Sequence, residues 1–267
     1  MASDDLLCTV EEGVATLTLN VPDRMNPLGL ELQRRMLERL AAVRDDRSVR
    51  ALVLTGTGRA FCVGADLQSM QSDRSDGRSL GQATADVMAQ VSNPLILALR
   101  ELPVPTLAAV NGAVAGAGVG LALACDIVVA ARSAYFYLPF IAKLGIVPDL
   151  GTTWFLPRLV GRARATALTL LGDRLPAEQA AQWGLVASVV DDAALPQAAR
   201  QAAQRLAQLP AHAALETRRA YDAAESNGLA AQLHYEAERQ RELIDRESFG
   251  EGVSAFLGKR APVFKGR

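Results

Sequence analysis

Two short runs near the start alternate apolar with polar positions: LLCTV and, after Glu11-Glu12-Gly13, VATLTLN. In the second, Val14, Thr16 and Thr18 alternate with Ala15, Leu17 and Leu19, the two-residue period of a half-buried strand. Two strands around a turn are expected over 6–20. VPDRMNPLG, with two prolines, reads as an irregular turn. From Leu28 to Arg44 the period lengthens, and Leu30, Leu32, Met36, Leu37, Leu40 and Val43 recur at helical spacing with charges between them. RALVLT at 50–55 is a short apolar run, the mark of a strand covered on both faces. GTGRAFCVGADL then loops back to a helix start at Asp66.

Residues 68–81 are polar and read as a surface loop or frayed helix. Helical periodicity resumes from Leu80 to Leu102, where Asn93-Pro94 should break or kink it. A strand at Thr106 to Val110 stops at Asn111-Gly112, and a glycine-rich turn at 115–120 leads into an apolar segment ending at Cys125. Strands follow at 127–131 and 134–138, then a second glycine-rich turn around Asp149. The alternation of strands with helices implies mainly parallel strands and crossover helices. After Gly161 helices dominate, at 162–171, 176–183, 195–209, 211–225 and 229–246, with one short strand in LVASVV. A short helix and an extended basic tail close the chain. The division expected is a core over 1–195 and a helical subdomain over 196–267.

Composition narrows the class. Of 267 residues, 50% are hydrophobic and 21% charged, with a formal net charge of −1, so nothing draws the whole chain to nucleic acid or an anionic membrane. Residues 102–125 carry no charge, but two prolines, Asn111 and four glycines fit a buried strand–turn–helix better than a membrane span. Cys8, Cys62 and Cys125 are odd in number, widely spaced and set in apolar contexts, as expected of buried, reduced thiols in a cytoplasmic protein rather than of disulfides or a metal site. The acidic start MASDDLL lacks the features of a secretory signal.

Candidate chemistry gathers in the two glycine turns. Gly116, Gly118 and Gly120 let backbone pass close by, and a helix start there leaves N–H groups free for a ligand. Asp149 lies among Phe140, Ile146, Val147 and Leu150, apolar company that raises the pKa of a carboxylate. Its plainer role would be the N-cap of a helix beginning at Leu150. GRSLG at 77–81 fits a Gly-x-Ser-x-Gly pattern but no strand precedes it, so the nucleophile elbow is missing.

VATLTLNVPDRMNPLG (14–29), GRAFCVGADL (58–67), AAVNGAVAGAGVGLALACDIVVA (108–130), LGIVPDLGTTWFLPRLVG (144–161) and FLGKRAPVF (256–264), in this order, resemble the crotonase (enoyl-CoA hydratase/isomerase) superfamily. The resemblance spans nearly the whole chain. It implies an α/β spiral of ββα units with a helical C-terminal subdomain, assembled as a homotrimer or a dimer of trimers. The implied ligand is an acyl-coenzyme A thioester, with coenzyme A part of the substrate and no separate cofactor or metal. By motif, the N–H groups of Ala65 and Ala117 form an oxyanion hole for the thioester oxygen. Arg24, Met25, Ala65, Asp66 and Leu67 fall beside coenzyme A, with Phe256 and Lys259 covering it from the tail.

Two glutamates that the family's hydratases use fall here on Gly120 and near Phe140 or Ile141, none of them acidic. Asp149 remains, in a position where the ring-1,2-epoxyphenylacetyl-CoA isomerases, dienoyl-CoA isomerases and 4-chlorobenzoyl-CoA dehalogenases carry aspartate. The first branch is nearest in pattern. Dehalogenation also needs a histidine near the acyl ring, and His212 and His234 both lie in the helical C-terminal part. One carboxylate suffices for a 1,3-proton shift, so an isomerase using Asp149 is expected, ahead of a hydratase or lyase with relocated groups and of a non-catalytic acyl-CoA binder. Met70, Met88, Phe136, Phe140, Trp154 and Phe155, in some combination, are the candidate acyl-pocket wall.

Overall fold

The computed structural model describes residues 5–72 and 77–266, without the side chains of 70–72 and Ala211. The Met70 side chain and residues 73–76 of the polar loop thus fall outside the description. The strands are β1 (Leu6–Glu11), β2 (Val14–Leu19), β3 (Ala51–Gly56), β4 (Ala60–Cys62), β5 (Thr106–Val110), β6 (Ala113–Ala115), β7 (Ile127–Ala131), β8 (Tyr135–Tyr137), β9 (Arg174–Pro176) and β10 (Ser188–Val190). The helices are α1 (Leu30–Asp45), α2 (Leu67–Ser72), α3 (Leu80–Val87), α4 (Asn93–Arg100), α5 (Ala117–Leu123), α6 (Thr152–Val160), α7 (Arg162–Leu171), α8 (Ala177–Gln182), α9 (Leu195–Ala207), α10 (Ala211–Ala224), α11 (Leu229–Ile244) and α12 (Glu247–Leu257).

Strands sort into two sheets. The larger runs β1-β2-β3-β5-β7-β10, parallel throughout except for the β1–β2 hairpin. The smaller runs β4-β6-β8-β9, parallel but for β8–β9. Each of β3, β5 and β7 is followed within a few residues by a strand of the smaller sheet, and helices then return the chain. That repeat is the ββα spiral expected from the resemblance. Of the smaller sheet, periodicity shows only β8, within the strand expected at 134–138; β4, β6 and β9 are three residues long, below the length at which alternation registers.

The central strands read as predicted. All five residues of β5 are buried, as are Ala51 to Leu54 of β3, giving continuous apolar runs. Helix α9 lies against β3, β5 and β7, and its buried Ala199 and Ala203 join the main core. The helix expected over 80–102 runs on to Arg100 and is deformed rather than broken ahead of Pro94. Pro94 stands in the first turn of α4, and a π-turn at Met88–Ser92 links α3 to α4. Cys62 and Cys125 are buried, but Cys8 is exposed on the edge strand, correcting the expectation for that thiol. No helix among the described residues is long and apolar enough to cross a membrane.

Candidate active site

Helix α5 is the hub. Gly116, at φ 52° and ψ −131°, takes a conformation closed to side-chain-bearing residues and turns the chain from β6 into α5. Ala117 opens that helix, so its N–H has no carbonyl one turn back to reach. A β-carbon on Gly118 would lie 2.4 Å from the Cys62 carbonyl oxygen, so only glycine lets α5 rest on β4. Gly64, at φ +88°, approaches just as closely: its β-carbon would be 2.9 Å from the Ala117 nitrogen. The Leu28 N–H donates to the Gly64 carbonyl at 2.7 Å and locks this loop against the segment before α1. Among the described residues no backbone carbonyl accepts from the Ala65 N–H. The two expected oxyanion donors therefore sit on touching turns, one exposed and one 4% exposed.

One turn along α5, Gly120 meets the second glycine turn. A β-carbon there would stand 2.1 Å from the Leu150 carbonyl oxygen and 3.0 Å from Thr152 Oγ1. Leu150 (φ +46°) and Gly151 (φ +76°) are both left-handed, an uncommon state for leucine and a mark of local strain. Asp149, just before them, is partly buried, and its Oδ1 is buried with no hydrogen-bond partner. Burial pushes its pKa up to about 6, with its own backbone N–H pulling weakly the other way. Helix α6 begins at Thr152 with Gly151 as its N-cap and no side-chain cap bond. The start expected at Leu150 is thus two residues early, and Asp149 does not cap the helix. Phe140 is buried, with its ring 3.9 Å from the β-carbon position of Gly116.

Arg24 and Asp66 form an ion pair at 2.6 Å across the two loops flanking Ala65. Burial opposes the charge on Asp66, but Arg24 and the N–H groups of Ser69 and Gln68 outweigh it and hold its pKa below the usual carboxylate range. Met25 is left-handed at φ 62° and closes the short turn begun at Pro22. Leu67 opens α2 with its side chain exposed. Arg24, Met25, Ala65, Asp66 and Leu67 are thus one neighbourhood. Phe256 and Lys259 belong to another: α12 packs on α11, Phe256 is 83% exposed, and Lys259 is left-handed just past the helix.

Trp154 and Phe155, two of the candidate wall residues, sit in the first turn of α6. They line a cavity of about 800 Å³ at the far end of α5, beside Leu123 and Cys125. Trp154 is edge-on to Phe155 and carries the Arg158 guanidinium 4.2 Å above its ring. Sequence reasoning also missed two buried or half-buried amides that brace the turn between β3 and β4. Asn26 donates to the carbonyls of Thr57 and Ala60, and Asn111 to those of Gly58 and Ala60. An Asn between glycine or proline neighbours was the available signal, read only as a turn former.

The family profile for enoyl-CoA hydratase/isomerase matches residues 9–267. The chain belongs to that family. Among its relatives is the 1,2-epoxyphenylacetyl-CoA isomerase of Escherichia coli strain K12, 46% identical over 263 residues and covering 98% of each chain. The 2,3-dehydroadipyl-CoA hydratase of the same organism is 37% identical over 98% of this chain and 99% of its own. The crystal structure of an enoyl-CoA hydratase from Bacillus anthracis superposes with a TM-score of 0.90 at 30% identity, covering 98% of this chain and 99% of that one. As a member of the enoyl-CoA hydratase/isomerase family, the protein has the crotonase fold, and acyl-CoA chemistry is the family's common ground.

Proposed function

We propose that this protein is an acyl-CoA isomerase in which Asp149 is the single acid/base. What carries the reading is the contact between Gly120 and the Leu150 carbonyl: with 2.1 Å available, no side chain fits at 120, so a second carboxylate has no place on α5. Hydration needs one group to activate water and another to protonate the α-carbon. A 1,3-proton shift needs one group. Asp149 takes the α-proton of a 3-enoyl thioester, the electron pair moves onto the thioester oxygen, and the N–H groups of Ala65 and Ala117 stabilise that enolate. Asp149 then returns the proton to the γ-carbon, leaving the double bond conjugated with the thioester. The same arrangement suits a ring-epoxide rearrangement, the reaction class suggested by the E. coli isomerase relative.

Coenzyme A enters as part of the substrate, with no separate cofactor, and Arg24, Met25, Asp66 and Leu67 lie along its path. Phe256 and Lys259 cover it only when chains associate as a homotrimer or a dimer of trimers. The second reading, a hydratase or lyase with relocated groups, draws support from the 2,3-dehydroadipyl-CoA hydratase relative. Ultraviolet absorbance after mixing with a 3-enoyl-CoA separates the two. Conjugated thioester should form with the unaltered protein and not with Asp149→Asn; no conjugation by either protein, despite tight acyl-CoA binding, would defeat the isomerase reading.

A further inference from the structure

Arg50, the residue before β3, joins stretches that lie far apart in the chain. Its Nε donates to the Ala207 carbonyl at 3.0 Å and its Nη2 to that of Leu209 at 2.7 Å. Its Nη1 donates to the Phe264 carbonyl at 3.2 Å and to that of Gly266. Ala207 ends α9, where the last carbonyls have no partner within the helix and attract a cation. One guanidinium therefore grips the junction of α9 with α10 and the tail beyond α12, and so holds the last three helices at both ends. The core side of the grip is fixed. The Arg50 N–H donates to the Gly13 carbonyl at 2.6 Å, and a β-carbon on Gly13, in the β1–β2 turn, would lie 3.1 Å from Arg50 Cγ.

The tail and α12 form one unit. Lys259 is left-handed at φ 50°, and the chain turns back there along the helix. Glu251 of α12 accepts from Arg260 Nη1 at 2.6 Å, from Arg260 Nη2 at 2.8 Å and from the Val263 N–H at 2.7 Å. The Phe264 ring comes within 4.0 Å of the β-carbon position of Gly252. Between α10 and α12 lies a cavity of about 410 Å³, lined in part by His212, Phe249, Phe256 and Phe264, so direct packing there is loose.

We propose that Arg50 is a positioning residue for coenzyme A binding: by tying 207–209 and 264–266 to the start of β3, it sets where α12 carries Phe256 and Lys259. This rests on the reading that Phe256 and Lys259 cover coenzyme A once chains associate. A guanidinium suits the task because its planar fork offers five N–H donors, enough for four carbonyls at once, whereas a lysine ammonium offers three. Every side-chain bond of Arg50 among the described residues goes to a main-chain carbonyl, so the grip does not depend on the protonation of a partner. Ala65, Ala117 and Asp149 lie on other turns of the fold. Loosening the grip therefore weakens the hold on the coenzyme A end of the substrate and leaves the reacting end alone.

The test compares Arg50→Met, Arg50→Lys and the double variant Phe256→Ala, Lys259→Ala with the unaltered protein. Two saturated probes are bound: butyryl-CoA, by calorimetry, and S-butyryl-N-acetylcysteamine, which has the thioester but no nucleotide, by NMR titration. Hydrogen exchange of 256–266 is followed in parallel. Arg50→Met should weaken butyryl-CoA about tenfold, leave the short thioester within about twofold and speed exchange in the tail, with Arg50→Lys between. If Arg50→Met does not fold, Arg50→Gln carries the same comparison. A double variant weakened towards butyryl-CoA beside an unweakened Arg50→Met would overturn the role of Arg50 alone. A double variant that binds butyryl-CoA as the unaltered protein does would overturn the tail's cover of coenzyme A, and this role with it. Equal weakening of both probes by Arg50→Met would also overturn the role, because a damaged core rather than a displaced tail would then be the cause.

Discussion

Asp149 is held in a place that costs the fold something when it ionises. Its folded-state pKa of about 6 lies above the ordinary carboxylate value, so folding favours the protonated form. That contribution is complete below about pH 4 and is lost as pH rises through about 6. Asp149→Asn imitates the protonated state. The variant should therefore gain up to about 3 kcal/mol over the unaltered protein at pH 7.5 and nothing at pH 4, in denaturant titrations at both. Equal stability at both would mean that Asp149 is solvated. Activity should move the opposite way, rising with pH through about 6 and vanishing in the asparagine variant. At this scale the sequence was informative. A lone carboxylate between Pro148 and Leu150-Gly151 stands out in the sequence, whereas the burial of Thr152 does not, because it depends on Gly120 of α5, distant in the chain.

The elements around the site are set by close backbone approaches. Gly120→Ala should force α5 from the 149–152 turn and destabilise the fold by about 1–3 kcal/mol, read in thermal melts, with loss of turnover exceeding the loss of folded protein. A second tie binds α10 to the core. Arg218, buried at 5% exposure, pairs with Asp126 at 2.5 Å and donates to the carbonyls of Arg100, Leu102 and Val104. Asp126 in turn accepts from the Thr106 N–H and hydroxyl at the start of β5. Arg218→Ala leaves that carboxylate without its counter-charge and three carbonyls without the guanidinium, and should cost about 3–5 kcal/mol in chemical denaturation; a loss under 1 kcal/mol would show that water replaces the guanidinium. The long elements were legible because period and burial agree over α1, β2, β3 and β5. Of the three-residue strands, β8 and β10 stand out as apolar runs, whereas β4, β6 and β9 do not, since their pairing is decided by partners distant in sequence.

At the scale of the molecule the ββα spiral encloses the core, while the last helices stay open. Leu229, Leu233, Phe249, Phe256 and Leu257 on α11 and α12 are all exposed. So much apolar surface on two successive helices suits burial against further copies of the chain. Sedimentation at micromolar concentration should give a mass of three or six chains; a monomer would remove the partner-borne role of Phe256 and Lys259. Resemblance carried the reading here, since no periodicity within one chain reports on a neighbouring one.

The central claim is that one aspartate moves one proton and no water is added. The most direct measurement supplies a 3-enoyl-CoA carrying deuterium on its α-carbon and follows the product by mass spectrometry and NMR. A conjugated isomer of unchanged backbone mass, with part of its deuterium transferred to the γ-carbon and none formed by Asp149→Asn, is the result expected. No conjugated isomer from the 3-enoyl-CoA, with a 2-enoyl-CoA supplied in its place converted to a 3-hydroxyacyl product heavier by one water, by the unaltered protein and the variant alike, would contradict it.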